Sequence, residues 1–270
     1  MKKKKAIQVL TVLLLTTAAL CGYFFVCEYN AAQHEISEYS ILRDEYTTTT
    51  HEQNNNMGEG NSEDDTELSE KVKLPYINVD FETLLIINPD TIGWISMPNT
   101  NISYPVVQGT DNMRYLNTSF DGKHSKAGTL FADMYNNMET LDTNTIIHGH
   151  NMGLGRSDMF STLLLYKDYD HYSKHRYIQF DTIYENHGWW EVFAVLHLDI
   201  HSTAFQHQQT KFINTSDFMS WVEYAKTLSL HNIDLDISPY SNILTLSTCD
   251  RSKYGRNGRL LVLAMKSNNS

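Results

Sequence analysis

The chain has 270 residues, of which 41% are hydrophobic and 20% are charged, so it is long and apolar enough to fold around a substantial core. Its formal net charge of −11 at pH 7 excludes it from the basic proteins that bind nucleic acids through their phosphates. We therefore expect no nucleic acid among its partners.

Residues 1–27 have the composition of a membrane anchor. Lys2–Lys5 are four consecutive positive charges, and Ala6–Cys27 are 22 residues without a charge, which is enough to cross a bilayer as a helix. Because lysines stay on the cytoplasmic side, we expect a single pass with the N-terminus in the cytoplasm and the remaining chain outside the cell. A cleaved signal peptide is the alternative interpretation.

Residues 28–73 are predicted to connect this anchor to a folded domain. Apolar residues at near-helical spacing between Ile36 and Tyr46 predict a short helix above the membrane. Thr47–Thr50, Asn54–Asn56 and the acidic run Glu59–Glu70 then predict a flexible, solvated stalk.

Residues 74–270 are predicted to form one mostly β domain. Many short strands with few helices favour a barrel or a sandwich with helical insertions. The clearest helix is Ser216–Leu230, whose start Thr215 or Ser216 can cap. The predicted strands are Thr91–Met97, Ile102–Gln108, Thr129–Asp133, Thr145–His148, Tyr177–Asp181, Trp189–Ile200, Ile243–Thr248 and Leu260–Leu263.

Cys249 is a candidate nucleophile. The other two cysteines, Cys21 and Cys27, belong to the apolar N-terminal segment, so an exported domain would hold a single thiol. Cys249 ends a predicted strand and faces Arg259 across a short polar loop. The thiol would therefore lie beside a fixed positive charge, although a small buried structural cysteine fits the same pattern.

The pair His148-Gly-His150 supplies an imidazole that such a thiol needs. A β-rich run leads directly into it, and the glycine between the histidines lets the backbone turn. One of the two imidazoles is the candidate acid/base partner of Cys249. A polar loop at a strand end is the simpler alternative. A zinc site is a third, for which His-x-His alone is weak support because a further ligand is required.

Several motifs, in this order, carry a family resemblance. They are Gly93-Trp-Ile95, Tyr104-Pro-Val-Val-Gln108, Asp111-Asn112 with Tyr115-Leu116, Gly128-Thr-Leu-Phe-Ala-Asp133, Ile147-His-Gly-His-Asn-Met152, and Thr245-Leu-Ser-Thr-Cys249 with Arg259 ten residues on. From about Leu84 to the C-terminus, the chain resembles the class B sortases, which are membrane-anchored cysteine transpeptidases of Gram-positive bacteria. The helix just ahead of the last two strands also favours class B.

The resemblance implies an eight-stranded sortase-type β-barrel with N-terminal helices. It implies that Cys249 is the nucleophile and that His150, rather than His148, is the acid/base. Arg259 and the backbone N–H after Cys249 would stabilise the oxyanion. Residues near the substrate groove would be Asn112, Leu116 and Ser247.

The implied reaction starts when Cys249 attacks the threonine carbonyl in the C-terminal sorting signal of a secreted protein. A thioester forms, and an amino group of a lipid-linked peptidoglycan precursor then accepts the protein. No metal and no cofactor is implied. A pilin-polymerising sortase would differ only in the acceptor amine. The alternative from another class is a non-catalytic or metal-binding surface protein on the same fold.

Overall fold

The computed structural model describes residues 2–50, 74–153, 155–202 and 205–267. The chain divides into two compact units, and each is described here by itself. They are Met1–Leu42 and Arg43–Ser270.

The first unit lies within one long helix, α1 (Lys2–Tyr46). Its side chains from residue 3 to residue 30 are exposed, with Leu13 61% and Phe24 64% exposed. The helix is long and apolar enough to cross a membrane, which agrees with the predicted anchor by length and composition. A signal sequence would meet the same criteria, so the topology stays a prediction.

The second unit contains the strands and the remaining helices. The strands are β1 (Thr47–Thr50), β2 (Tyr76–Val79), β3 (Thr91–Ser96), β4 (Ser103–Val107), β5 (Leu130–Ala132), β6 (Asn144–His148), β7 (Tyr177–Thr182), β8 (Trp189–Asp199), β9 (Ile243–Cys249) and β10 (Gly258–Lys266). The helices are α2 (Phe81–Ile87), α3 (Tyr169–Lys174), α4 (Thr215–Leu228) and α5 (Arg251–Tyr254), with 3₁₀ turns at Arg114–Leu116, Ser161–Lys167 and Gly255–Asn257. Every predicted strand is present. Strands such as β3, β4 and β9 are buried on both faces, so their β-branched and apolar composition marks them more than alternation does.

Strands β3 to β10 close into a barrel in the order β10-β8-β7-β3-β4-β5-β6-β9. The pairs β4–β5 and β6–β9 are parallel and the other pairs are antiparallel. The expected eight-stranded barrel is therefore confirmed. Its closure brings β6 beside β9 although about a hundred residues separate them along the chain.

The stalk prediction is wrong for its first four residues. Thr47–Thr50 pairs antiparallel with Tyr76–Val79, which satisfies the backbone N–H and C=O groups that a flexible segment would leave to water. Four successive β-branched threonines favour this extended conformation. The rest of the predicted stalk, residues 51–73, lies outside the described residues.

Helix α4 covers part of the outer surface of the barrel. It buries Phe218, Trp221 and Val222 in one cluster with Leu261 and Leu263 of β10. An eight-stranded barrel has room inside only for its own side chains, so the strand face that α4 contacts is the outer one.

The start of α4 is capped by a residue other than those predicted. The side chain of Asn214 accepts a hydrogen bond from the Asp217 amide at 2.9 Å. The cap therefore lies one residue before Thr215 and two before Ser216, and from extended backbone the Asn214 side chain reaches the third helical N–H.

Candidate active site

Cys249 and Arg259 lie directly opposite each other on the last two strands, as predicted. The amide of Asp250 donates to the carbonyl of Gly258 at 3.0 Å, so that neighbouring pair is the hydrogen-bonded one. Cys249 and Arg259 are therefore a non-hydrogen-bonded pair, in which Cα atoms lie about 4.5 Å apart and the side chains share a face. The thiol is free and only partly buried.

This pair belongs to the outer face of the barrel. Side chains two residues apart on a strand share a face, so Arg259 lies on the face of Leu261, which packs in the α4 cluster. Ser247, two residues before Cys249, is opposite Leu261 and lies on the same face. The predicted site therefore lies on the outer surface of the barrel, on the face that α4 covers further along β10, and not in a cavity inside the barrel.

The two histidines reach this surface through strand β6. His148, its last residue, is opposite Ser247 of the parallel strand β9. The amide of Gly149 donates to the Ser247 carbonyl at 3.1 Å, and the Thr248 hydroxyl donates to the Gly149 carbonyl at 2.8 Å. The histidine turn is therefore attached to the strand that ends in the cysteine.

Asn151 completes this attachment, and the sequence interpretation missed it. Its side-chain amide donates to the carbonyl of Cys249 at 2.9 Å. The bond fixes the backbone at the cysteine to the backbone that follows His150. Its position directly after the histidine pair was the one signal for it in the sequence.

Gly149 serves close packing rather than the turn expected from the sequence. It is absent from the glycines with positive φ. An added Cβ would lie 2.3 Å from Leu130 Cδ2 and 2.6 Å from Phe160 Cδ2, both part of the core. A larger residue between the histidines would therefore push them away from β9.

The ring of His150 is oriented by a backbone carbonyl. Its Nε2 lies 2.8 Å from the oxygen of Leu116. Because a carbonyl can only accept, Nε2 carries the hydrogen and donates. In the neutral ring, Nδ1 then holds a lone pair and can accept a proton. Leu116, predicted to lie near the substrate groove, is thus next to the site and contacts His150 through its backbone.

The ring of His148 is held by a carboxylate instead. Its Nε2 lies 3.0 Å from Oδ2 of Asp133, and its ring packs on Phe131 with centroids 5.2 Å apart. Oδ2 also accepts from the side chain of Asn112 at 2.9 Å, and Oδ1 accepts from the Tyr135 amide at 3.0 Å. Burial acts to raise the pKa of Asp133, but the bond from His148 and these donors outweigh it and lower the pKa.

Asn112 was predicted to lie near the substrate groove, and its amide is already engaged. Besides its bond to Asp133, its oxygen accepts from the Met134 amide at 2.8 Å. Asn112 therefore supports the carboxylate that holds His148. Asn112 lies close to the site through these contacts, and its part in substrate binding stays a prediction.

His207 is a further histidine near the site that sequence reasoning did not single out. It lies in the segment between β8 and α4 and interacts electrostatically with Arg259 and His148. Burial is the main cause that lowers its pKa, the hydrogen bond with the Phe205 backbone opposes it, and the interactions with Arg259 and His148 add to the lowering. Nothing in the sequence distinguishes it from the other eleven histidines.

Asp250 anchors the loop that follows the cysteine. Its buried carboxylate accepts from Lys167 Nζ at 2.7 Å and from the Ser252 amide at 3.0 Å, which caps α5. His197 Nε2 lies 3.5 Å from the same carboxylate. Burial acts to raise the pKa of Asp250, but the bonds from Lys167 and Ser252 outweigh it and lower the pKa to about 2.

The described residues contain no group of three or more His, Cys, Asp or Glu side chains that could hold a metal ion. Within residues 2–50, 74–153, 155–202 and 205–267, the His148-Gly-His150 pair therefore lacks the further ligands that zinc requires. The metal-binding alternative has no supporting cluster in this part of the chain.

The protein combines an eight-stranded mixed barrel with a thiol, a guanidinium and an oriented imidazole at neighbouring strand ends. This combination defines the class of cysteine transpeptidases. Residues 95–267 match the family model described as "Sortase domain", so the chain belongs to the sortase family.

The similar proteins are class B sortases. Sortase B of Staphylococcus aureus (strain NCTC 8325 / PS 47) is 28% identical over 266 residues, 98% of each chain. Sortase B of Listeria monocytogenes serovar 1/2a is 35% identical over 176 residues, 65% of this chain and 69% of that protein.

Solved structures agree with these relatives. A Staphylococcus aureus sortase B–substrate complex superposes with a TM-score of 0.63 at 34% identity, covering 70% of this chain and 85% of that one. Clostridium perfringens sortase B gives a TM-score of 0.64 at 30% identity, covering 70% of this chain and 100% of that one. The class B resemblance seen in the motifs is thereby confirmed.

We expect Asp250→Asn to lower the free energy of unfolding by about 2 kcal/mol at pH 7, because the variant loses an ionised, buried carboxylate whose pKa is about 2. A lowered pKa stabilises the fold above the unfolded-state value of about 4 and loses that effect as the pH falls towards 2. Urea unfolding between pH 7 and 2 should therefore show the difference from the unmodified protein shrinking below about pH 4.

The matched control is Asp234→Asn, at an exposed position. It should leave the free energy of unfolding nearly unchanged at every pH. A difference for Asp250→Asn that stays constant with pH would show that the titration of this carboxylate does not stabilise the fold.

Proposed function

We propose that the chain is a transpeptidase that joins secreted proteins to the cell wall. It cleaves a C-terminal sorting signal at a threonine carbonyl, holds the acyl group on Cys249 and passes it to an amino group of a lipid-linked peptidoglycan precursor. The observation that carries this proposal is the pairing of Cys249 with Arg259 on the outer face, with the turn that holds His150 bonded to Cys249 through Asn151. Sortases as a family act on proteins with sorting signals and on a peptidoglycan-linked acceptor.

In the first half-reaction, the sulfur of Cys249 bonds to the threonine carbonyl carbon. Nδ1 of His150 takes the thiol proton, because Nε2 is committed to the Leu116 carbonyl. The C–N bond of the substrate then breaks, and His150 returns its proton to the leaving amine. A thioester on Cys249 remains.

The oxyanion of this step requires donors, and Arg259 supplies them. The amide of Asp250, expected from the sequence to be a second donor, already donates to the Gly258 carbonyl and is not free. One guanidinium nitrogen of Arg259 contacts the carbonyls of Gly258 and Arg256, which fixes the plane of the group. Its remaining N–H groups are left for the substrate oxygen.

We propose a different task for each of three parts of the chain. Residues 1–27 anchor the protein in the cell membrane with the N-terminus in the cytoplasm, and residues 28–73 lead to the catalytic part outside the cell. Residues 74–270 carry the barrel and its site. The apolar helix α1 and the cell-surface location of the sortase family support this arrangement.

Cys249→Ala should abolish cleavage, because no other side chain at the site provides a thiolate. The substrate is the best-cleaved member of a fluorogenic peptide library in which threonine precedes the scissile bond. Mass spectrometry of the unmodified protein should detect an acyl-enzyme, and the variant should show none. The control Cys21→Ala/Cys27→Ala removes the other two cysteines and should keep full activity. Turnover by Cys249→Ala would exclude Cys249 as the nucleophile.

His150→Ala should slow release of the leaving peptide by about 100-fold or more, the usual contribution of a positioned proton-transfer group. His148→Ala should have a much smaller effect in the same single-turnover experiment, since this step passes through His150. The measured quantity is the rate of the first fluorescence burst with the library peptide. If His148→Ala proved the slower variant, the roles of the two imidazoles would be reversed.

Arg259→Lys should reduce kcat/KM by about tenfold or more although it keeps the charge, because lysine lacks a planar set of donors. The control Arg256→Lys changes an exposed arginine of the same loop and should be nearly neutral. Steady-state cleavage of the library peptide measures both. Near-normal activity of Arg259→Lys would mean that charge alone is required at this position.

A further inference from the structure

His148 and Asp133 form a hydrogen-bonded pair beside Cys249 that the first half-reaction does not use. His148 is opposite Ser247, and Ser247 shares the outer face with Cys249 two residues later. Its side chain is 21% exposed, whereas that of Asp133 is 5% exposed. A partly exposed imidazole backed by a buried carboxylate therefore lies on the same face as Cys249, on the neighbouring strand.

The carboxylate fixes which nitrogen of His148 carries the hydrogen. Asp133 accepts from His148, from Asn112 and from the Tyr135 amide, so both of its oxygens are used as acceptors. An ionised carboxylate cannot donate, so Nε2 of His148 is the donor. Nδ1 of the neutral ring is then the nitrogen with a lone pair.

The second half-reaction requires a proton acceptor. An attacking amine nitrogen gains positive charge as its bond to the thioester carbon forms, and it must lose a proton to become an amide. A histidine oriented by a carboxylate suits this task, because the negative charge stabilises the imidazolium that results. His150 has only a neutral carbonyl as its partner.

We propose that His148 is the base for the acceptor amine, with Asp133 as its positioning residue. This inference rests on the proposed transpeptidase function. The neutral amine nitrogen bonds to the acyl carbon, and Nδ1 of His148 takes one proton from that nitrogen. The bond between the carbon and the sulfur breaks, Cys249 leaves as thiolate, and the proton on His148 passes to the thiolate or to water.

Two nucleophiles separate this role from simple binding. The amino nitrogen of glycine amide becomes strongly acidic only after it has attacked the thioester carbon. The reaction of glycine amide therefore benefits from a base that removes the proton from this nitrogen. Hydroxylamine is a much weaker base, so its nitrogen loses the proton readily without help. The test is the rate at which each nucleophile captures the acyl-enzyme formed from the library peptide, measured by mass spectrometry of the product.

His148→Gln should slow capture by glycine amide by about 100-fold, the size expected for a lost proton-transfer group, and should leave capture by hydroxylamine close to that of the unmodified protein. Glutamine can still donate to Asp133, so the local fold is retained. Asp133→Asn should show the same selective defect at smaller size. The control His124→Gln changes an exposed histidine and should affect neither nucleophile.

Equal losses with both nucleophiles would show that His148 acts in binding or structure, and the proposal would be wrong. Unchanged capture of glycine amide by both variants would also overturn it. These results differ from a failure of the proposed function, in which the unmodified protein would form no acyl-enzyme at all. Should His148→Gln fold poorly, as judged by thermal unfolding, the selectivity of Asp133→Asn decides the question.

Discussion

The site depends on the antiparallel pairing at the ends of β9 and β10. The hydrogen-bonded pair Asp250–Gly258 places the preceding pair, Cys249 and Arg259, in the position where side chains are closest. This pairing needs a glycine, because a Cβ on Gly258 would lie 1.9 Å from the backbone carbonyl oxygen of Asp250. The Asp250 side chain, held by Lys167, keeps the same residue in place from the other side. Backbone geometry, more than any side-chain contact, thus sets the distance between thiol and guanidinium.

The two imidazoles of the site come from one strand end yet have different electrostatic surroundings. His150 donates to a neutral carbonyl of Leu116, whereas His148 donates to the ionised carboxylate of Asp133. In the mechanism proposed above, the two rings with these different partners serve different proton transfers. A transpeptidase has two such transfers to make, one to the leaving amine and one from the incoming amine.

The sequence predicted the elements well and the side-chain partners poorly. β-Branched and apolar composition located every barrel strand, and the motifs brought Cys249, Arg259 and the histidine pair together, because these signals are local or depend on strand ends. The contacts of Asp133 with His148 and of Lys167 with Asp250 join distant parts of the chain. Neither spacing nor composition carries such information. His207 was likewise not predicted, since the segment that holds it has no regular pattern.

The pairing of β1 with β2 fixes the two ends of the acidic segment between them. Thr50 and Tyr76 are paired Cα partners, so the stretch that joins them starts and finishes at the same point of the fold. The number of residues between them therefore does not change the separation of Thr50 and Tyr76. Doubling such a loop costs only about 0.6 kcal/mol of closure entropy. The number of residues between the two strands can therefore vary without a change in the pairing of β1 with β2.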